Sequence, residues 1–392
     1  MKKIYSLFVF VLLLNLSAKA QSKFYADAMA NVGFESNVFN SPESYLDRAG
    51  TLYNKKDLVV SGAFAQYGWN MKYKTTLNKK HKISIQNKGG FKTFFGVANA
   101  NQGGSDLKGK YIYQKSKKLS FGYNLALQRS KKLVTNILGD EVTAPFTFSQ
   151  FINEGYVQYA INNNNETRLG GYYKVRKYKS DPTVPESLSY NTPALVFSTE
   201  QTIDINNTKT ILKLGVESKG RKYTERTARD SIGNSVIGVY PKRDWSYFIT
   251  NLTYSLRFNN GIRVDPFVEY TKRTDNFQDQ FSYKEIKSGL KLAYNINEYS
   301  VKFKATRYNK NYNIRPALLS DGTEIPLSYK YFKFSLNGEY SLSKKFTVFL
   351  SAKYESRDSN VTNIGRRPRR EYKTYEVYGG VMYSFQKNLK SK

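Results

Sequence analysis

LVVSGAFAQYGWNMKYK, Leu58 to Lys74, changes character at every second residue. Ala63, Ala65, Tyr67, Trp69, Met71 and Tyr73 fall on one face, and Gln66, Asn70, Lys72 and Lys74 on the other, because successive side chains of a strand point to opposite sides. An amphipathic helix would space its apolar residues three and four apart. Aromatic and aliphatic groups opposite lysine and asparagine describe a strand with lipid on one side and water on the other.

The same period runs through the chain. Phe24 to Glu35 sets Ala26, Ala28, Ala30, Val32 and Phe34 against Asp27, Asn31 and Glu35. Further strands are expected over Ile83 to Phe95, Leu107 to Tyr113, Leu119 to Arg129, Phe148 to Ile161, Arg168 to Lys177 and Ala194 to Ile205. The second half reads as Thr210 to Lys219, Trp245 to Phe258, Ile262 to Arg273, Tyr283 to Tyr294, Tyr299 to Tyr308, Tyr329 to Tyr340, Phe346 to Glu355 and Tyr372 to Phe385. The expected fold is all-β, a transmembrane antiparallel up-and-down barrel of about sixteen strands; fourteen or eighteen also fit the length.

The connections alternate in length. Short turns rich in Asn, Lys and Gly stand at Asn78 to Lys80, Lys115 to Lys118, Asn162 to Asn165, Asn206-Asn207, Asn259 to Gly261, Asn295 to Glu298 and Ser343 to Lys345. Longer segments lie at Ser36 to Lys56, Lys131 to Thr147, Lys179 to Thr192, Gly220 to Arg243, Asn309 to Pro326 and Ser356 to Glu371, with shorter ones near Ala98 to Gly104 and Asp275 to Gln280. Bacterial barrels keep short turns in the periplasm and long loops outside, so both termini are expected in the periplasm. Tyr67, Tyr73, Tyr111, Tyr113, Tyr254, Tyr294 and Tyr383 suit aromatic girdles at the two interfaces.

Composition agrees. Aromatic residues make up 15% of the 392 residues, yet the mean hydropathy is −0.59. Residues 1–20 read as a cleavable signal peptide: Met1, Lys2 and Lys3, an apolar run from Ile4 to Leu16, then Ala18-Lys19-Ala20. That run is shorter than the ~20 residues that cross a bilayer. Residues 21–392 are expected to form one barrel without a second domain. The absence of cysteine excludes disulfides, thiolate metal sites and N-terminal lipidation. The net charge of +31 would suggest nucleic acid in a cytoplasmic protein, but an exported chain rarely meets it. Lipopolysaccharide, an anion-favouring lumen or an acidic glycan are the partners that remain.

Catalysis finds little support. A hydrolase nucleophile usually needs a histidine base, and the one histidine, His81, sits beside the turn Asn78 to Lys80. No cofactor is expected, and no metal site; Asp140-Glu141 reads as solvated loop charge. The inner wall is more informative. Alternation turns Lys72, Lys74, Lys82, Lys88, Lys92, Lys108, Lys110, Lys174, Arg176, Lys213, Arg263, Lys291, Lys302, Lys304 and Lys353 inward, with Asp27, Glu35, Asp265, Glu269, Glu355 and Glu376 as the main inward carboxylates. A charge facing lipid at the midplane would cost ~2–4 kcal/mol. Either these lysines concentrate anions in a water-filled pore, or they pair with carboxylates and infolded loops in a narrow barrel. Arg366, Arg367, Arg369 and Arg370 form the densest basic cluster, in the last long loop, where they could meet lipopolysaccharide phosphates or an acidic glycan.

Glu35 to Pro42 reads ESNVFNSP after Asn31-Val32-Gly33-Phe34. This resembles the acidic-Ser-Asn-Val-aromatic signature that opens many porin-like and exopolysaccharide-associated outer-membrane barrels, and the Lys, Asn and Tyr-rich style is similar to barrels of Bacteroidota. Tyr383-Ser384-Phe385 looks like the aromatic end of a final strand, which such proteins present to the barrel-assembly machinery. The resemblance implies a porin-like role in the Gram-negative outer membrane, compatible with a homo-oligomer, and carries no catalytic residues. The expected function is passive diffusion of small anionic or sugar-like solutes. Export or surface anchoring of a polysaccharide or protein is the alternative, and a lipid-modifying enzyme is a third.

Overall fold

Where no water can replace a missing partner, every backbone N–H and C=O of a strand must be bonded to another strand. The chain meets this by closing on itself. The computed structural model describes residues 21–46, 51–97, 100–131, 133–135, 143–145, 147–179, 187–205, 208–363 and 371–389. The signal segment 1–20, Asp140-Glu141, the turn Asn206-Asn207 and the cluster Arg366, Arg367, Arg369 and Arg370 lie outside the described residues.

The strands of the first half are β1 (Gln21–Glu35), β2 (Ser44–Leu46), β3 (Leu52–Asn54), β4 (Gly62–Leu77), β5 (His81–Phe94), β6 (Gln102–Gln114), β7 (Leu119–Lys131), β8 (Leu133–Thr135), β9 (Thr143–Pro145), β10 (Phe148–Ala160), β11 (Asn165–Tyr178) and β12 (Tyr190–Ile205). The second half has β13 (Thr208–Thr227), β14 (Lys242–Phe258), β15 (Ile262–Asp275), β16 (Tyr283–Ile296), β17 (Tyr299–Leu318), β18 (Glu324–Ser341), β19 (Phe346–Ser359) and β20 (Tyr372–Leu389). Sixteen of them form one closed antiparallel barrel, each bonded to its neighbours in chain order, with β1 sealing against β20. The ribbons β2–β3 and β8–β9 stand apart in two of the long connections.

Strand number and order follow the alternation, but several ends do not. Gly220 to Arg243 was expected to be loop, yet β13 runs on to Thr227 and β14 starts at Lys242. Likewise β17 continues through Asn309 to Leu318, and β18 begins at Glu324. The β13 extension, Gly220 to Thr227, is polar on both faces, so it carries strand geometry without the apolar face that marks a membrane crossing, whereas the β17–β18 extension packs Ala317 against Leu327 and Val361 in a small apolar cluster of its own. At the C-terminus β20 continues past Phe385, and Leu389 pairs with Ser22.

Register fixes the two walls. Opposed residues share a face, and the ladder Ala28–Trp69–Gly89 lies outside while Asp27–Asn70–Lys88–Asp106 lies inside. The outer wall is apolar in every sector: Val32, Leu169, Leu195 and Leu350 are each more than 60% exposed. A contiguous exposed surface of this kind belongs in lipid. The seven tyrosines named above all stand on this wall. Inside, the ring of Tyr156 lies over Gly122, where a Cβ would come within 1.9 Å of it, and the guanidinium of Arg168 stacks on Tyr156 at 3.6 Å. Gly122 is needed here because the ring occupies the space of a side chain.

The assignment predicts opposite outcomes for adjacent residues of β7. Leu125→Arg places a cation in lipid and should lower the unfolding free energy in vesicles by ~2–4 kcal/mol. Ala126→Arg faces the interior and should cost under about 1 kcal/mol. Equal costs in urea titrations would contradict the two-walled assignment.

Candidate functional site

The inner wall carries the charge. Side chains there reach partners several strands away, because they converge on the concave side. Lys92 of β5 contacts Glu376 of β20 at 2.9 Å, three strands off, and the hydroxyl of Tyr172 on β11 donates to Glu217 of β13 at 2.8 Å. On this wall the register also places Lys72, Lys88, Lys108, Lys110, Lys174, Arg176, Lys213, Arg263, Lys291, Lys302, Lys304 and Lys353, with Lys74 and Lys82. The carboxylates Asp27, Glu35, Asp265, Glu269, Glu355 and Glu376 share it.

Pairing divides these cations into two groups. Lys92 binds Glu35 and Glu376, Lys353 binds Glu376, Lys108 binds Asp106, Lys213 binds Glu200, Arg263 binds Asp265 and Lys302 binds Glu339. Lys72, Lys88, Lys110, Lys174, Arg176, Lys291 and Lys304 have no carboxylate within ion-pair distance among the described residues. Lys291 and Lys304 stand directly opposite each other on β16 and β17. Asp265, opposite Lys291 on the other side, is held by Arg263 at 2.8 Å. Like charges placed directly across a ladder repel.

Towards the long-loop end lies a belt of cations interleaved with aromatic rings. Arg176 stacks on Phe148 at 4.1 Å, Arg221 on Tyr190 at 4.6 Å, and Arg273 between Trp245 and Tyr283 at 4.1 and 4.2 Å. Lys310 continues it over Tyr283 at 4.6 Å, and Arg357 over Tyr372 at 4.6 Å. Tyr190, Trp245, Tyr283 and Tyr372 are buried. Each contact contributes on the order of 0.5–2 kcal/mol; for Arg176, Arg221 and Arg273 it holds a guanidinium at the wall without neutralising it, while Lys310 also pairs with Glu285 at 3.0 Å. Below the belt a cavity of about 660 Å³ is lined by Lys287, Lys304, Lys310, Lys333 and Lys353 and by Glu35, Glu285, Glu355 and Glu376.

Sequence reading missed Arg221, Arg243 and Lys310 because it assigned them to loops. Arg273 and Lys287 were legible, since they keep the parity of Arg263 and Lys291 in strands already recognised, and Lys333 faces inward on β18 opposite Glu355.

ESNVF turns out to fold one connection inward. Tyr375 N–H donates to Ser36 Oγ at 2.9 Å, and Val38 N–H to Val60 O at 2.8 Å. Asn37 closes a loop on Ser41, accepting its N–H and donating to its carbonyl, both at 2.8 Å. Asn40 takes φ +54, a left-handed conformation that asparagine tolerates. Val38 and Phe39 pack against the inward rings Phe64 and Phe94. Glu35 opposes Glu376 across the β1–β20 seam, and Lys92 bridges them while lying 3.8 Å above Phe64.

His81 opens β5 on the outer wall, where its Nδ1 lies 2.8 Å from the Tyr111 hydroxyl and its ring packs on Tyr111 and Tyr113. It stands with the aromatic residues of the short-turn rim, away from the inner wall.

No family model matches the chain, and no curated protein does. Solved structures do. The siderophore receptor PirA from Pseudomonas aeruginosa matches at 10% identity and a TM-score of 0.39, over 92% of this chain and 80% of that one. The outer membrane protein opdK from Pseudomonas aeruginosa matches at 9% and 0.42, over 93% and 99%. The anion-selective porin from Comamonas acidovorans matches at 12% and 0.35, over 94% and 100%. At these identities no residue role is carried over.

Lys92 supplies a prediction, since its side chain and that of Glu35 are each 12% exposed. Lys92→Met should destabilise the barrel by about 3 kcal/mol, because it strands two facing carboxylates, and should expose residues 36–43 to protease. Adding Glu35→Gln and Glu376→Gln should recover most of that loss. A triple variant no more stable than Lys92→Met would show that repulsion at the seam is not the cause.

Proposed function

We propose that the chain is an outer-membrane channel for the passive diffusion of small anionic solutes, with the short turns and both chain ends in the periplasm. The opposed pair Lys291 and Lys304, neither bound to a carboxylate among the described residues, carries the reading. Two ammonium groups held side by side are stable in a water-filled space with counter-ions, and they raise the local concentration of anions. Arg176, Arg221 and Arg273 add charge of the same sign nearer the long-loop end, also without an ion pair among the described residues.

Between the anionic and sugar-like solutes suggested by sequence, the geometry favours anions. A sugar slides along open aromatic faces, whereas the rings of the belt are buried between guanidinium groups. The infolded segment 36–43 and the ion pairs narrow the interior, which suits small solutes. No catalytic step is assigned to the chain.

Reversal potentials in planar bilayers under a KCl gradient test this. Wild-type protein should form a stable pore that prefers chloride. Lys291→Glu with Lys304→Glu should lower the chloride-to-potassium permeability ratio by roughly threefold or more, since wall charge sets the barrier for each ion. A barrel that does not conduct, or a ratio indifferent to the two substitutions, would overturn the proposal.

A further inference from the structure

Charge also stands on the outer wall, where lipid rather than water is the neighbour. Arg129 on β7, Ser149 on β10 and Lys177 on β11 are opposed in one ladder, on the face of Leu127, Phe151 and Val175. Lys131 lies one outward position further along β7, and Lys179 N–H bonds to Thr147 O at 2.9 Å just past β11. With strands ~4.8 Å apart, the four cations occupy a patch on the order of 10 Å across. All four are exposed, and none has a carboxylate within ion-pair distance among the described residues.

The patch borders an apolar groove of about 570 Å³. Its floor is low because Trp69 and Phe91 lie flat on Gly89 and Gly103, which offer no side chain to lift them. From the cations the wall descends over Leu127, Phe151 and Val175 into the apolar band. The opposite rim differs: the rings of His81, Tyr111, Tyr113, Phe121, Tyr299 and Phe346 stand among its outward strand residues, and Lys387 of β20 is a cation there without a neighbouring cation on β1.

Four cations clustered at the lipid boundary without a carboxylate partner among the described residues attract anionic headgroups, by about 1 kcal/mol for each Lys or Arg near the surface. The geometry points to a binding site for a phosphorylated glycolipid of the surrounding leaflet, its phosphate groups on Arg129, Lys131, Lys177 and Lys179 and an acyl chain in the Trp69–Phe91 groove. Arg129 can grip a phosphate with two N–H groups, and the lysines add point charges. The site rests on the membrane placement proposed above and is independent of the pore.

Native mass spectrometry of the whole protein in detergent reads it, with bisphosphorylated lipid A as probe. Wild type should retain the lipid, and Arg129→Gln with Lys131→Gln, Lys177→Gln and Lys179→Gln should bind it at least tenfold more weakly. A control with Lys115→Gln, Lys117→Gln, Lys118→Gln and Lys344→Gln should bind like wild type. Equal retention by wild type of lipid A stripped of its phosphates would overturn the site, even if the rim variant failed to fold. Displacement of the lipid by equimolar inorganic phosphate would reveal a free-anion site, and loss of a dimer in the rim variant with lipid binding intact a self-contact; either result overturns the proposal. The folded rim variant should conduct as wild type does, so a failure here leaves the channel reading standing and the reverse also holds.

Discussion

Everything in this barrel depends on the seam where its first strand meets its last. A sheet immersed in lipid cannot leave an edge, because each unpaired backbone group there costs several kcal/mol. Between β1 and β20 the seam runs from Ser22 opposite Leu389 to Glu35 opposite Glu376. It therefore ends on two facing carboxylates, which would push its own end apart. Lys92, arriving from β5 across β4, binds both and rests on the ring of Phe64. The same contact anchors the infolded segment, since Val38 and Phe39 pack against Phe64 and its neighbour Phe94. Closure and the shape of the interior are thus one problem with one solution.

Once the seam is set, register does the sorting. A slip of one residue would send every lysine of the inner wall into lipid, so the side chains that give the lumen its charge also hold the strands in place. Ion pairs such as Lys310 with Glu285 and Lys333 with Glu355 tie adjacent strands, but their charges cancel. What the interior offers a solute comes, among the described residues, from the remainder: Lys291, Lys304 and the ring-held Arg176, Arg221 and Arg273. An arginine stacked on Trp245 and Tyr283 is fixed as firmly as a paired one and keeps its charge.

Most of the fold was legible because lipid enforces a strict alternation. Leu58 to Lys74 announced β4, and the Asn and Lys turns separated its neighbours. Legibility failed where the chain leaves the membrane. From Gly220 to Thr227 neither face needs to be apolar, so the strand continues without a signal, and Arg221 with it. The role of Asn37 to Ser41 was also hidden, since an asparagine bridging its own loop looks in sequence like any polar loop residue. Pairing was the least accessible of all. Parity states that Lys92 and Lys291 point inward, while only register shows that Lys92 meets two carboxylates and Lys291 meets a lysine.

The outward cations carry a lesson about parity itself. Within Tyr172 to Lys179, the residues Lys174 and Arg176 face the lumen while Lys177 and Lys179 do not, so a dense basic run is split between two environments by position alone. A charge count over such a segment says little about either wall. The inward members can act on solutes, and the outward ones can act only on what surrounds the barrel. The orientation proposed above rests on turn lengths, which compare the connections. The two outer rims differ in what they can meet, because aromatic rings settle at any lipid interface, whereas cations are drawn to anionic headgroups. The ring cluster of His81, Tyr111 and Tyr113 stands at the short turns, and Arg129 and Lys177 stand at the long loops.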